Sequence, residues 1–108
     1  MNYEIASIPL FDKQVKRLAK KYPSLKFELA ELIESLVNNP EQGTPLGNNF
    51  FKVRLAITSK GKGKSGGARI ITFVKISLTT VYLTSIYDKS EKSSISNKEL
   101  QQIFNLVP

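Results

Sequence analysis

The succession of hydrophobic periods along these 108 residues predicts an α+β fold. In it an N-terminal strand and a helical hairpin pack on a mostly antiparallel four-stranded sheet, and a short C-terminal helix follows. Three observations carry this reading. Apolar residues recur at helical spacing early in the chain, at period two in its middle, and a capping box opens a last amphipathic segment. Residues 1–108 fit one domain with a core of its own. Nothing in the sequence marks an internal repeat or a second domain.

Residues Tyr3 to Ile8 alternate weakly and read as the first strand. Pro9 suits a first helical position. From there to about Lys21, Phe11, Val15, Leu18 and Ala19 share one helical face. The Tyr22-Pro23 step ends that helix, because proline disfavours helical geometry in the residue before it. Ser24 can cap a second helix running to about Val37, with Leu25, Leu29, Leu32, Ile33 and Leu36 as its apolar stripe. Glu41 to Asn49 is rich in turn residues and reads as a loop. In the next strand Phe51, Val53, Leu55 and Ile57 alternate with Lys52, Arg54 and Ala56, one face apolar and the other basic. Arg69 to about Ile76 and Val81 to Tyr87 read as the last two strands. Ser96 and Glu99 have the spacing of a capping box, and Leu100, Ile103 and Phe104 give the helix behind it an apolar side.

Charge is distributed unevenly. The formal net charge is +7. From Gln42 through Tyr87 there is no Asp or Glu, against seven basic residues: Lys52, Arg54, Lys60, Lys62, Lys64, Arg69 and Lys75. Elsewhere nine basic residues face nine acidic ones, so the whole net charge belongs to this segment. A positive field confined to one part of a fold is the footprint of a polyanion-binding surface. The loop SKGKGKSGGAR fits that reading, with glycines that let the backbone approach a phosphate chain and lysines that neutralise it. A solvated hairpin tip is the plainer alternative. Gly63-Lys64-Ser65 looks like the end of a nucleotide-binding phosphate loop, but position 58 is Thr58 where that motif needs glycine, and a strand follows where it needs a helix.

The missing residue types narrow the chemistry. With no His and no Cys, histidine acid-base catalysis, a cysteine nucleophile and a His- or Cys-ligated zinc are excluded. We expect no metal and no small-molecule cofactor. No apolar run approaches the roughly 20 residues that span a bilayer, and the N-terminus lacks the pattern of a signal peptide. A cytoplasmic protein with no membrane association is expected.

Taken together, Lys52-Val53-Arg54, the run SKGKGKSGGARII and the segment LTSIYDKSE resemble the RelE/ParE superfamily of bacterial toxins, closest to HigB-type members with a lysine-glycine insertion between strands. The resemblance covers nearly the whole chain. It implies a RelE-like fold and the toxin of a type II toxin-antitoxin module. In the RelE and HigB branches such a toxin is a metal-independent endoribonuclease that enters the decoding site of the ribosome and cuts mRNA. The implied partners are a cognate antitoxin, the ribosome and mRNA. Residue by residue, Lys52 and Arg54 match the basic pair of the second strand. Arg69 matches the arginine facing the scissile phosphate, and Lys89 the basic residue after the last strand. The family places an aromatic about six residues beyond that position, where this chain has Ile95; Tyr87 is the aromatic nearest at hand.

Arg54, Arg69, Tyr87 and Lys89 are therefore the candidate catalytic residues, with Lys52, Lys60, Lys62 and Lys64 as RNA contacts. Guanidinium forks can hold phosphate oxygens bidentately, yet arginine stays protonated and cannot serve as a base. The base is left open among Lys52, Lys89, Tyr87 and a group lent by the ribosome. Each residue also has a structural alternative: Lys52 and Arg54 as a solvated strand face, Arg69 as the partner of a C-terminal acid such as Asp88 or Glu91, Tyr87 as a half-buried core residue and Lys89 as a plain exposed charge. Two rival functions keep other classes open. One is a ParE-like inhibitor of DNA gyrase, and the other a non-catalytic RNA-binding module.

Overall fold

The computed structural model describes residues 2–61, 63 and 65–108. Its elements are β1 (Glu4–Ser7), α1 (Pro9–Lys21), α2 (Leu25–Asn38), β2 (Thr44–Gly47), β3 (Phe50–Leu55), β4 (Ala68–Lys75), β5 (Thr80–Asp88) and α3 (Asn97–Phe104). Short 3-10 turns at Thr58–Lys60 and Ile76–Leu78 join the last three strands. The sheet has five strands in the order β1-β5-β4-β3-β2.

The expected α+β order holds, with two corrections to the sheet. It has five strands rather than four, because Thr44–Gly47 lies in the segment read as a loop. Pro45 and two turn residues hide its strand character, and Pro is tolerated there because β2 is an edge. The signal that was present is Asn48-Asn49, which adopt φ of 53° and 67°. That is the two-residue hairpin connection whose twist matches its flanking strands. The second correction is that β1 joins the sheet in parallel with β5, pairing Glu4 with Thr80 through Ser7 with Leu83.

The core lies on the face of the sheet that α1 and α2 cover. Phe51, Val53 and Leu55 of β3, Ile70 and Val74 of β4, and Val81, Leu83 and Ile86 of β5 are buried with Phe11, Leu18, Leu25, Leu32 and Leu36 of the helices. Ser24 stands at the start of α2 but does not cap it. Its hydroxyl instead donates to Glu28 and accepts the Ser59 N–H at 2.9 Å, tying the helix start to the turn after β3. At the outer edge of β5, Gln14 of α1 accepts the Ile86 N–H at 2.9 Å, beyond the reach of the short β1. A register shift lies between Ile71 and Thr72, where Thr84 of β5 donates its hydroxyl to the Ile71 carbonyl at 2.8 Å. On the opposite face α3 covers part of the sheet. Its capping box is formed as expected, Leu100 and Ile103 are buried, and the Phe104 ring lies edge-on to Phe73 at 5.6 Å.

Behind the glycine-lysine loop, Gly67 continues the β4 ladder by accepting the Lys89 N–H at 3.0 Å. A Cβ at Gly67 would fall 2.1 Å from the Leu55 carbonyl oxygen. Gly67→Ala is expected to destabilise the protein by about 1–3 kcal/mol, the range for overpacked sites. Urea denaturation should show a lower midpoint at unchanged slope.

Candidate functional site

Strand alternation and register place the candidate residues. Arg54 of β3 is the partner of Arg69 in β4, and Arg69 is the partner of Tyr87 in β5. Residues in register across neighbouring strands share a face, so these three form one row across the sheet, on the side away from α1 and α2. Lys52, Ile71 and Ser85 make the next row, and Phe50 and Phe73 the row beyond. The only carboxylate on these three strands, Asp88, alternates to the helix side.

Exposure differs along the row. Arg54 is exposed and Lys52 half-buried, whereas Arg69 is 5% exposed and Tyr87 6%. Arg69 donates to the Ala68 carbonyl at 3.1 Å and to the Ser65 carbonyl at 3.2 Å, which holds its guanidinium against the root of the loop. The Tyr87 hydroxyl is buried without a hydrogen-bond partner. Burial pushes its pKa up, and the nearby Arg69 charge only partly offsets this. Tyr87 therefore keeps its proton near neutrality. Lys89 begins the turn after β5, its N–H donating to the Gly67 carbonyl at 3.0 Å. Its ammonium is tied to the Ser93 carbonyl.

Asp88 is fully buried on the other side. It accepts the Tyr22 hydroxyl at 2.7 Å, the Ser90 hydroxyl at 2.7 Å and the Ser90 N–H at 2.9 Å, and it pairs with the Lys60 ammonium. Burial alone would raise its pKa, but the hydrogen bonds from Lys60, Tyr22 and Ser90 win and hold it well below the usual carboxylate range. Lys60 is thus turned inward, with its ammonium also 5.6 Å from the centre of the Tyr22 ring. The expectation that Lys60 contacts RNA does not follow it there, because a buried carboxylate recruits the nearest cation. Lys62 and Lys64 lie outside the described residues. Of the two acids weighed as partners of Arg69, Asp88 is engaged by Tyr22, Lys60 and Ser90, and Glu91 pairs with Arg17 at 2.9 Å and Lys21 at 3.8 Å.

One cation at the site carried no sequence signal. Lys92 lies 5.7 Å from the centre of the Tyr87 ring and pairs with Glu99 of α3. Its position is set by a helix that follows it in the chain, so neither spacing nor composition marks it. Arg54 and Lys52 thus share a strand face with the buried Tyr87 and Arg69, and Lys92, paired with Glu99, lies over the Tyr87 ring. Such a surface can bind a phosphodiester through its exposed cations.

Known proteins share this fold. A family model described as the RelE toxin of the RelE/RelB toxin-antitoxin system matches residues 10–107. Among solved structures, a mutant of the E. coli toxin RelE in the free state superposes with a TM-score of 0.61 at 13% identity, covering 98% of this chain and 94% of that one. A metal-bound toxin from Helicobacter pylori superposes with a TM-score of 0.53 at 21% identity, covering 85% of this chain and 99% of that one. At these identities the two structures speak for the fold.

The buried pair at Asp88 sets a pH dependence. A carboxylate whose folded pKa is depressed stabilises the fold above its unfolded value of about 3.9, and that stability is lost as pH falls from there toward the folded value. Acid unfolding should therefore begin below about pH 4. Asp88→Asn should flatten that acid limb and cost about 3–5 kcal/mol near neutrality, since it strands Lys60 without its partner. Urea titrations across pH check both outcomes, and Lys60→Met added to Asp88→Asn should recover part of the loss.

Proposed function

Because the chain belongs to the RelE toxin family, the toxins of the RelE/RelB toxin-antitoxin system, we propose that it is a ribosome-dependent mRNA endoribonuclease, held in check by a cognate antitoxin of the RelB kind. No helix among the described residues is long and apolar enough to cross a membrane, in keeping with a toxin that acts on translating ribosomes.

The observation that supports this reading is the row Arg54, Arg69, Tyr87 on a face whose strands carry no acid. Two like charges directly opposite each other on a sheet cost stability. A sequence that keeps Arg54 and Arg69 in register accepts that cost, and a bound phosphate removes it. Cleavage of RNA can use the neighbouring 2′-hydroxyl as nucleophile. That hydroxyl gives up its proton, its oxygen bonds to phosphorus, and the bond to the 5′-oxygen breaks as that oxygen takes a proton. Arg54, open to solvent, holds a non-bridging oxygen. Arg69, fixed beneath it by main-chain carbonyls, supplies preorganised positive charge. Tyr87, whose raised pKa keeps its O–H intact, donates to a phosphate oxygen or to the leaving oxygen. Among the described residues near the row, the candidates for removing a proton are three lysines, Lys52, Lys89 and Lys92, poor bases while protonated. That poverty suits an enzyme whose substrate is aligned by a large RNA machine.

Expression without antitoxin should stop growth, with messages cut only while they are translated. Intact messages beside broken chromosomal DNA would overturn the proposal in favour of gyrase inhibition. Arg54→Ala, at an exposed position, should leave the fold intact and slow cutting by about 10²–10³-fold, the usual effect of deleting one preorganised charge. Tyr87→Phe separates chemistry from packing. It should hold or raise stability by about 1 kcal/mol, because it removes an unsatisfied buried hydroxyl, while cutting falls. Unchanged cutting by Tyr87→Phe would remove Tyr87 from the mechanism.

A further inference from the structure

The basic row occupies only one end of its face. At the other end, beyond Lys52, lies a cleft of about 990 Å³ between the β2-β3 hairpin and α3. Its floor is Phe50 and Phe73, whose rings are 5.0 Å apart, and Phe104 stands on its wall with half its surface exposed. Its rim carries five carboxamides: Asn48 and Asn49 from the hairpin turn, and Asn97, Gln101 and Asn105 from α3 and the residue after it. No charged side chain lines it. All five carboxamides are exposed, and among the described residues none makes a side-chain hydrogen bond to the protein. Gln14 and Gln42, by contrast, are engaged by structural bonds.

This composition is unlike the basic end and has its own chemistry. A carboxamide presents a donor pair and an acceptor side by side, the pattern that recognises the edges of bases, while an exposed aromatic ring offers a stacking surface. The distance is also suitable. Phe50 and Arg54 lie four residues apart on the same face of β3, about 14 Å at roughly 3.4 Å per residue. One short, extended single strand can reach both ends.

We propose that this cleft is a base-recognition subsite, taking one unpaired nucleobase of the RNA that flanks the bond held at Arg54. The base stacks on Phe104, and Asn49, Gln101 and Asn105 bond its edge. The inference rests on the endoribonuclease reading for its biological substrate, but its binding chemistry can be measured apart from cleavage.

The test uses short single-stranded RNA oligonucleotides in which one position at a time is abasic, titrated against the full chain and against the variant Asn49→Gly/Gln101→Ala/Asn105→Ala. All three changes are at exposed sites, and the first suits the turn. The wild-type protein should lose about tenfold in affinity at one abasic position, within the range of one lost base–aromatic stack. The variant should lose nothing further there, and Phe104→Ala should reproduce the effect. Equal wild-type affinity at every position would overturn the subsite, as would a variant that binds RNA normally but binds antitoxin weakly. Cut-site mapping on translated messages separates the two ideas. Cutting whose base preference survives in the variant sinks the subsite and leaves the nuclease reading standing. An abasic penalty without any cutting does the reverse.

Discussion

A single buried carboxylate organises this molecule. Asp88 ends β5, is fully buried, and gathers the Tyr22 hydroxyl from the helix junction, the Lys60 ammonium from the turn after β3, and Ser90 from the loop behind it. Burying a carboxylate is costly unless every lone pair finds a donor. The donors come from segments far apart in the chain, so satisfying one group fixes the helices, the root of the glycine-lysine loop and the exit of β5 relative to each other.

That arrangement also determines what the other face can be. Because the one acid of the three central strands is turned toward the helices, Arg54 and Arg69 meet on the opposite side with no strand carboxylate between them. The buried Tyr87 hydroxyl without a partner belongs to the same pattern. An opposed pair of arginines and an orphaned phenol each cost stability, and both sit in one row. Two local rules are broken together in that row, as at a functional surface. Lys92, held over the phenol ring by Glu99, extends that surface through the C-terminal helix.

The same helix closes the face at its far end, where charge gives way to carboxamides and aromatic rings. Phosphate contacts give affinity and position without reading sequence, and contacts to bases supply selectivity. A face with a cationic end and a neutral, amide-rich end has a place for each task on one rigid sheet.

Much of this was legible in the residues alone. Helix limits at Pro9, Pro23 and Asn38, the capping box at Ser96, and the basic face of β3 all follow from local rules, because propensity, capping and alternation act between near neighbours. Period two already put Lys52 and Arg54 on one face. It could not say that Arg69 and Tyr87 stand in register with Arg54, since register depends on how three strands slide past each other. Nor could it show Lys60 turned inward to Asp88, Lys92 brought over Tyr87, or Pro45 accepted in an edge strand. Those placements are decided by burial and by partners distant in sequence. Sequence determined which side chains are cationic and where the chain turns; tertiary structure decided which of those cations are neutralised, because a buried carboxylate selects its counter-ion by proximity in space.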